Sequence, residues 1–245
     1  MTMKKTALVL QARLDSSRLP GKSILPLGME GREGRRPLIF HVMEAFSYQP
    51  LNEILDKKIL ACPEDSVTAF APLAEEAGFD IVPGQKEDVL ARYCLAIKHF
   101  PCDYLMRATG DNPFLFMDAA HMLLLEEDAK TADYITYEGM PHGSGVELVS
   151  SSALLRAERE AVLTHDREHV CPYLYNNPHL FNVSLIPAPA KWNKPDIRLT
   201  VDTQTDYERA NLLFERLSSC KDEEKYKGDT IISHYRELFT GKSHE

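Results

Sequence analysis

Cysteine is scarce in this chain of 245 residues, and the five present are odd in number. Cys62, Cys94, Cys102, Cys171 and Cys220 form no CxxC and read as reduced thiols of a cytoplasmic protein rather than a disulfide framework. No apolar run approaches the roughly 20 residues of a membrane span, so no membrane insertion is expected. The apolar stretch after Lys4-Lys5 ends at Gln11 and Arg13, too soon for a signal-peptide core. Basic charge is short as well: 28 Lys and Arg against 37 Asp and Glu leave a net charge of −9, which argues against a general nucleic-acid binder. The dinucleotide fingerprint GxGxxG is absent. A chain that is 44% hydrophobic and 27% charged is an ordinary globular protein with a sizeable core. In an acidic protein of this kind, a local basic loop points to a small phosphorylated ligand.

Apolar runs alternate with segments of helical period. Strands are expected over 6–11, 58–62, 79–82, 104–108 and 134–137, and later over 145–149, 181–186 and 197–201. Helices are expected over 38–48, 66–77, 86–99 and 117–127, with a later one over 205–218. Asp65 is placed to cap the second helix and Gly78 to end it in a left-handed conformation. Such alternation implies parallel pairing and an α/β doubly wound sheet. After about residue 138 the rhythm loosens among prolines and histidines. The reading is a single domain, 1–245, with a nucleotide-binding half over about 1–138 and a substrate half over about 139–215. A charged helix and tail cover 216–245, and 28–36 is a basic loop. Trp192 either packs or stacks.

The most informative segment is Leu8 to Lys22, VLQARLDSSRLPGK at its core. An apolar strand delivers the chain into a loop with Arg13, Arg18, Lys22, Ser16, Ser17 and a Pro-Gly turn. Cations and free N–H groups at the carboxyl end of a buried strand suit a polyanion, and a nucleoside triphosphate is the obvious candidate. Ser16 to Ser23 is one residue from GxxxxGK[ST], since Ser16 stands where the first glycine belongs. A P-loop lysine must open a helix, however, and Pro26 and Gly28 lie in the turn that follows. Two further positions carry acid at strand ends. Asp111 follows DYLMRA and the Thr109-Gly110 turn, and Asp202 ends Arg198-Leu199-Thr200-Val201. Mg²⁺ arrives with a triphosphate and takes one or two carboxylates besides phosphate oxygens. Asp202 also has the residue type of a helix N-cap, so both roles stand open.

QARLDSSRLPGK, RATGDNP, PHGSGVE, REHVCPY and RLTVDTQTDYE occur in the order seen in the spore-coat polysaccharide biosynthesis protein F group. Over roughly 6–210 the chain thus resembles the cytidylyltransferases that include the CMP-acylneuraminate and CMP-Kdo synthetases. The resemblance implies a GT-A-like nucleotide-diphospho-sugar transferase fold, a mostly parallel three-layer αβα sheet. It implies transfer of a cytidylyl group from CTP to a sugar or sugar acid, with Mg²⁺ as cofactor. Arg13, Lys22, Asp111 and Asp202 are then the catalytic group, Asp111 and Asp202 holding the metal. The nucleotide is expected on Gln11, Ala12, Arg13, Ser16, Arg18, Lys22, Arg107 and Asp111, with Gly84, Gln85 and Arg92 toward the base. Such enzymes are often homodimers, although no interface is legible. The chain departs from the group at Gly145, where an acidic residue is usual, and in the longer loop over 28–36.

Candidates for the sugar site are His142, Glu147, Arg167, Glu168 and His169. Arg167-Glu168-His169 reads as a helix start where an arginine pairs bidentately with a sugar carboxylate, or simply as a terminal ion pair beside a half-buried histidine. His165 and His169 have i,i+4 spacing, but no glutamate stands where HExxH needs it. Two other functions stay open. One is a GT-A-like glycosyltransferase using a nucleotide sugar, although Asp111-Asn112-Pro113 is no DxD. The other is a non-catalytic nucleotide-binding subunit of a polysaccharide assembly complex.

Overall fold

Leu8 and Leu10 face one side of the first strand, Ala7 and Val9 the other, and all four are buried. A strand buried on both faces belongs in the middle of a sheet with helices on either side. The computed structural model, which describes residues 4–28, 35–221 and 223–241, has that arrangement. This strand is β1 (Thr6–Gln11), and a short antiparallel pair, β2 (Pro26–Leu27) and β3 (Arg36–Pro37), stands apart from the main sheet. The other strands are β4 (Lys57–Pro63), β5 (Asp80–Gly84), β6 (Tyr104–Thr109), β7 (Tyr134–Glu138), β8 (Glu147–Ser150) and β9 (Val183–Pro187). They form a seven-stranded sheet in the order β5-β4-β1-β6-β8-β7-β9. Neighbours pair in parallel except at β8, which runs antiparallel to both β6 and β7.

Each face carries its own core. Leu8 and Leu10 pack with helices Leu38–Ala45, Val67–Ala77, Met117–Leu125, Gln204–Leu217 and Gly228–Phe239. Ala7 and Val9 pack with helices Val89–His99 and Ser151–Glu160. The result is the expected αβα sandwich. Trp192 is fully buried, its ring 6.0 Å from that of Tyr137, so it packs in the core.

The early elements follow their sequence signals closely, and the later ones diverge. Gly78 ends helix Val67–Ala77 with φ 72°, as its lack of a side chain allows. Asp65 does not cap that helix; its carboxylate accepts a hydrogen bond from the Ser66 hydroxyl instead. Residues 197–201 form no strand. They touch their neighbours through one bridge between His142 and Arg198. Their backbone groups serve loops: Ile197 O accepts from His142 N, Leu199 N donates to His142 O, and Val201 N donates to Asp111 O at 2.9 Å. The strand expected from residue 145 begins only at Glu147. No P-loop helix follows the basic loop, because Lys22–Ile24 is a single 3-10 turn that ends before β2. Of the basic loop 28–36, residues 29–34 lie outside the described residues.

β1 and β6 are adjacent and in register, with Gln11 opposite Thr109. The two loops that leave their carboxyl ends therefore start side by side. Gly110 seals the junction. Its N–H donates to Gln11 O at 2.7 Å, and a β-carbon there would lie 2.5 Å from Ile39 Cδ1 and 2.9 Å from Ala12 Cβ. Any larger residue there would have to displace the Ile39 side chain and the backbone at Ala12.

Candidate active site

A cleft of about 400 Å³ opens at this end of the sheet. Gln11, Ala12, Arg13, Ser16, Arg18 and Lys22 line one side, Thr109 to Asn112 the floor, and His142, Gly143, Thr200 and Asp202 the flank. Arg107, Val89, Glu168 and His169 complete the far side. A larger cleft of about 600 Å³ lies between Arg36, Phe40, His41 and Phe214, and is lined by none of the candidate nucleotide, metal or sugar-site residues.

Lys22 is the centre of the cleft's charge. Its side chain is 10% exposed, and Nζ donates to Asp111 Oδ2 at 2.6 Å, Asp202 Oδ1 at 2.9 Å and the Val201 carbonyl at 2.9 Å. Asp202 is also met by Arg18 Nη2 at 2.8 Å and Arg198 Nη2 at 2.7 Å. Burial works to raise the Asp202 pKa, but Lys22, Arg18 and Arg198 outweigh it and hold the carboxyl below its usual value. Asp206 is lowered in the same way: burial opposes, while Arg198, Thr203 and two backbone N–H groups prevail. Asp202 does not cap the following helix. Thr203 does, in a reciprocal capping box with Asp206, which leaves the Asp202 carboxylate for the cleft.

The flank is pressed against the floor by Gly143. Its φ is 89°, and a β-carbon would fall 2.6 Å from Thr200 N and 2.9 Å from Asn112 Oδ1. On the far side, Glu168 and His169 come from the end of helix Thr164–His169, which closes on an unusual residue. Val170 has φ 74° and ψ −60°, and Cys171 N donates to His169 O at 2.9 Å. This is a γ-turn of the strained hand, centred on a β-branched side chain that is fully buried. Its packing in the core fixes the backbone of His169 at the cleft. Because alanine keeps that strain and glycine relieves it, Val170→Gly is expected to be more stable than Val170→Ala by about 1 kcal/mol or more. Urea denaturation of the two variants checks this. The usual order, alanine above glycine, would contradict the strain.

Behind the far side lies a buried polar group. Arg107 Nη1 pairs with Glu147 Oε2, Tyr134 donates to Glu147 Oε1 at 2.6 Å, and Cys171 Sγ lies 3.7 Å from the same carboxylate. Burial by itself would lower the Arg107 pKa, but the Glu147 charge raises it well above the ordinary arginine value. Arg107 therefore presents a fixed positive charge to the cleft, with Glu147 beneath as its counter-ion.

This geometry agrees with what the chain is similar to. A family model described as cytidylyltransferase matches residues 7–231. The chain belongs to the cytidylyltransferase family. It is 29% identical over 215 residues to the spore coat polysaccharide biosynthesis protein SpsF of Bacillus subtilis, covering 87% of this chain and 88% of that protein. Among solved structures, a cytidylyltransferase from Leptospira borgpetersenii superposes with a TM-score of 0.79 at 23% identity, covering 98% of this chain and 96% of that one. A CMP-2-keto-3-deoxy-manno-octonic acid synthetase complexed with CTP superposes with a TM-score of 0.63 at 16% identity, over 86% of this chain and 99% of that one. The fold is therefore that of nucleotide-diphospho-sugar transferases, and the protein is a nucleotidyltransferase.

In this cytidylyltransferase the cleft brings together Gln11, Ala12, Arg13, Ser16, Arg18, Lys22, Arg107, Asp111, His142, Glu168, His169 and Asp202. Arg167 is not among them and does not open a helix. Its Nε and Nη2 donate to Asp88 Oδ2 at 2.8 and 2.5 Å, and Nη1 donates to Glu158 O and Ala161 O, each at 3.0 Å. It ties two helices together and has no fork left for a sugar carboxylate. Glu147 lies beneath Arg107 rather than on the cleft surface. Arg92 is 1% exposed and donates to the Gln85 and Lys86 carbonyls, while Gly84 packs against its side chain. These residues shape β5's end behind the cleft, and Gln85 is exposed beyond it. Sequence reasoning missed Arg198, whose position four residues before Asp202 and eight before Asp206 was the available signal. It also missed the bend at Val170, which no residue type announces.

Proposed function

We propose that the protein transfers a cytidylyl group from CTP to a hydroxyl of a sugar or sugar acid, releasing pyrophosphate, in the biosynthesis of a surface polysaccharide or other glycan. The observation that carries this reading is the convergence of the Asp111 and Asp202 carboxylates on the Lys22 ammonium of the basic loop, in one cleft. The CTP-bound synthetase shares the fold, and SpsF is named for polysaccharide biosynthesis.

Divalent-metal chemistry fits the residues present. Asp111 Oδ2, Asp202 Oδ1 and the Val201 carbonyl are three oxygens directed at one cation, the donor type that Mg²⁺ prefers. No group of three His, Cys, Asp or Glu suited to a metal occurs among the described residues, so phosphate oxygens would complete the shell. Bound there by Asp111 and Asp202, Mg²⁺ would neutralise charge at the α-phosphate and lower the pKa of the attacking hydroxyl. The chain itself contributes position and electrostatics. Arg13, Arg18 and Lys22 would meet the bound triphosphate and stabilise the charge that develops on the departing pyrophosphate. His142, Glu168 and His169 line the acceptor side and orient its hydroxyl for in-line attack, while Arg107 meets the nucleotide.

Pyrophosphate release from CTP, measured with a panel of sugar acids and sugar phosphates, tests the reading. The expected result is release that depends on one acceptor class and yields a CMP-sugar. Hydrolysis of a nucleotide sugar without pyrophosphate would instead identify a glycosyltransferase, and nucleotide binding without turnover a non-catalytic subunit.

A further inference from the structure

An ammonium group has three N–H donors. All three on Lys22 are spent on protein oxygens: Asp111 Oδ2, Asp202 Oδ1 and the Val201 carbonyl. Lys22 therefore has no donor left for a phosphate, and it stands on the very oxygens that a metal would use. We propose that Lys22 is the resident counter-cation of the Asp111–Asp202 pair, and that a divalent ion enters only with a triphosphate that draws the ammonium away. This rests on the metal-dependent reading of the cleft given above.

Charge decides the order of events. Asp111, Asp202 and Asp206 are matched by Lys22, Arg18 and Arg198, so the cluster is neutral, and Arg13 adds positive charge in the same cleft. A lone divalent ion gains nothing from a neutral cluster and is repelled by the ammonium that shares its oxygens. A triphosphate reverses the balance. Its oxygens offer Lys22 stronger, charge-assisted acceptors than the Val201 carbonyl, and its negative charge exceeds that of one divalent ion. Arg18, whose side chain is 62% exposed, is free to follow the lysine. The lysine thus holds two like charges together in the nucleotide-free protein and then joins the phosphates, leaving the carboxylates to the metal.

The test uses Mn²⁺ as the probe, with its electron paramagnetic resonance signal reporting free and protein-bound ion. Nucleotide-free wild type is expected to take up Mn²⁺ only weakly. Lys22→Met keeps the length and removes the charge, leaving the three oxygens open, and is expected to bind Mn²⁺ at least about tenfold more tightly without nucleotide. Lys22→Gln serves as a second variant with the same expected direction, and adding Asp111→Asn to either should abolish the gain. The wild type alone provides a further check: CTP should produce a protein-bound Mn²⁺ spectrum distinct from that of Mn²⁺ with CTP in buffer. Equal Mn²⁺ affinity in nucleotide-free wild type and Lys22→Met overturns exclusion by the lysine and leaves the metal assignment standing. Failure of CTP to produce protein-bound Mn²⁺ in the wild type overturns the metal assignment itself.

Discussion

Lys22→Ala is expected to lower turnover by at least ~10²-fold, the loss that follows removal of one electrostatic donor worth about 3 kcal/mol in the transition state. The lysine is asked to do two things that alanine cannot. It stabilises charge on the leaving pyrophosphate, and before that it holds Asp111 and Asp202 around one point. Alanine leaves two carboxylates facing each other with one cation fewer. The expected signature is a fall in the turnover number larger than any rise in the KM for CTP, because Arg13 and Arg18 remain to bind the ground-state phosphates. Steady-state pyrophosphate release at saturating CTP measures it. Unchanged turnover would remove Lys22 from the chemistry.

Asp202→Ala and Asp111→Ala should both abolish most activity, yet they should differ in stability. The Asp202 side chain is 13% exposed and meets three cations, whereas that of Asp111 is 29% exposed and meets one. Removing Asp202 strands Lys22 beneath the surface and leaves Arg18 and Arg198 short of a partner, a loss of about 3 kcal/mol by analogy with broken buried pairs. Removing Asp111 deletes one more exposed hydrogen-bonded contact, about 1 kcal/mol. In a protein of this size these values correspond to roughly 6–12 °C and 2–4 °C in Tm. Differential scanning calorimetry separates them, and equal losses would contradict the assignment of Asp202 as the hub. The pH dependence has a defined sign. Asp202 and Asp206 are held below the ordinary aspartate value of 3.8, so the stability they confer is present above that value. It is lost as pH falls through their lowered values, and Asp202→Ala should lose less than wild type over that acid range.

Much of the nucleotide side was legible because local signals and tertiary roles coincide there. β1 is apolar on both faces and could only be an interior strand, which in turn placed the cations of 13–22 at a sheet's carboxyl end. Gly78 and the Gly110 turn act through backbone properties that belong to the residue itself. The far side was harder to read for a physical reason: its contacts are set by residues distant in sequence. Arg167 looks like a ligand-binding fork until Asp88, 79 positions away, takes two of its donors. Residues 197–201 alternate apolar and polar like a strand up to Val201, but what lies beside them is a loop with no ladder to offer, and Thr200 is buried along with Ile197, Leu199 and Val201. Val170 adopts a conformation that valine disfavours, held by core packing that no local pattern encodes. His169 came into view through the motif resemblance, and its place at the cleft depends on that bend.

The most direct test of the account is thermal unfolding of wild type and Asp111→Asn with CTP, in the presence of Mg²⁺ and in the presence of a chelator. At a hundredfold excess over Kd, a ligand that binds only the native state stabilises it by about 2.7 kcal/mol, or roughly 5–10 °C here. The account predicts a shift of that size for wild type with CTP and Mg²⁺, most of it lost with chelator or in Asp111→Asn. An equal shift in wild type and Asp111→Asn, unaffected by chelator, would contradict the assignment of the Asp111–Lys22–Asp202 cluster as the metal–triphosphate site.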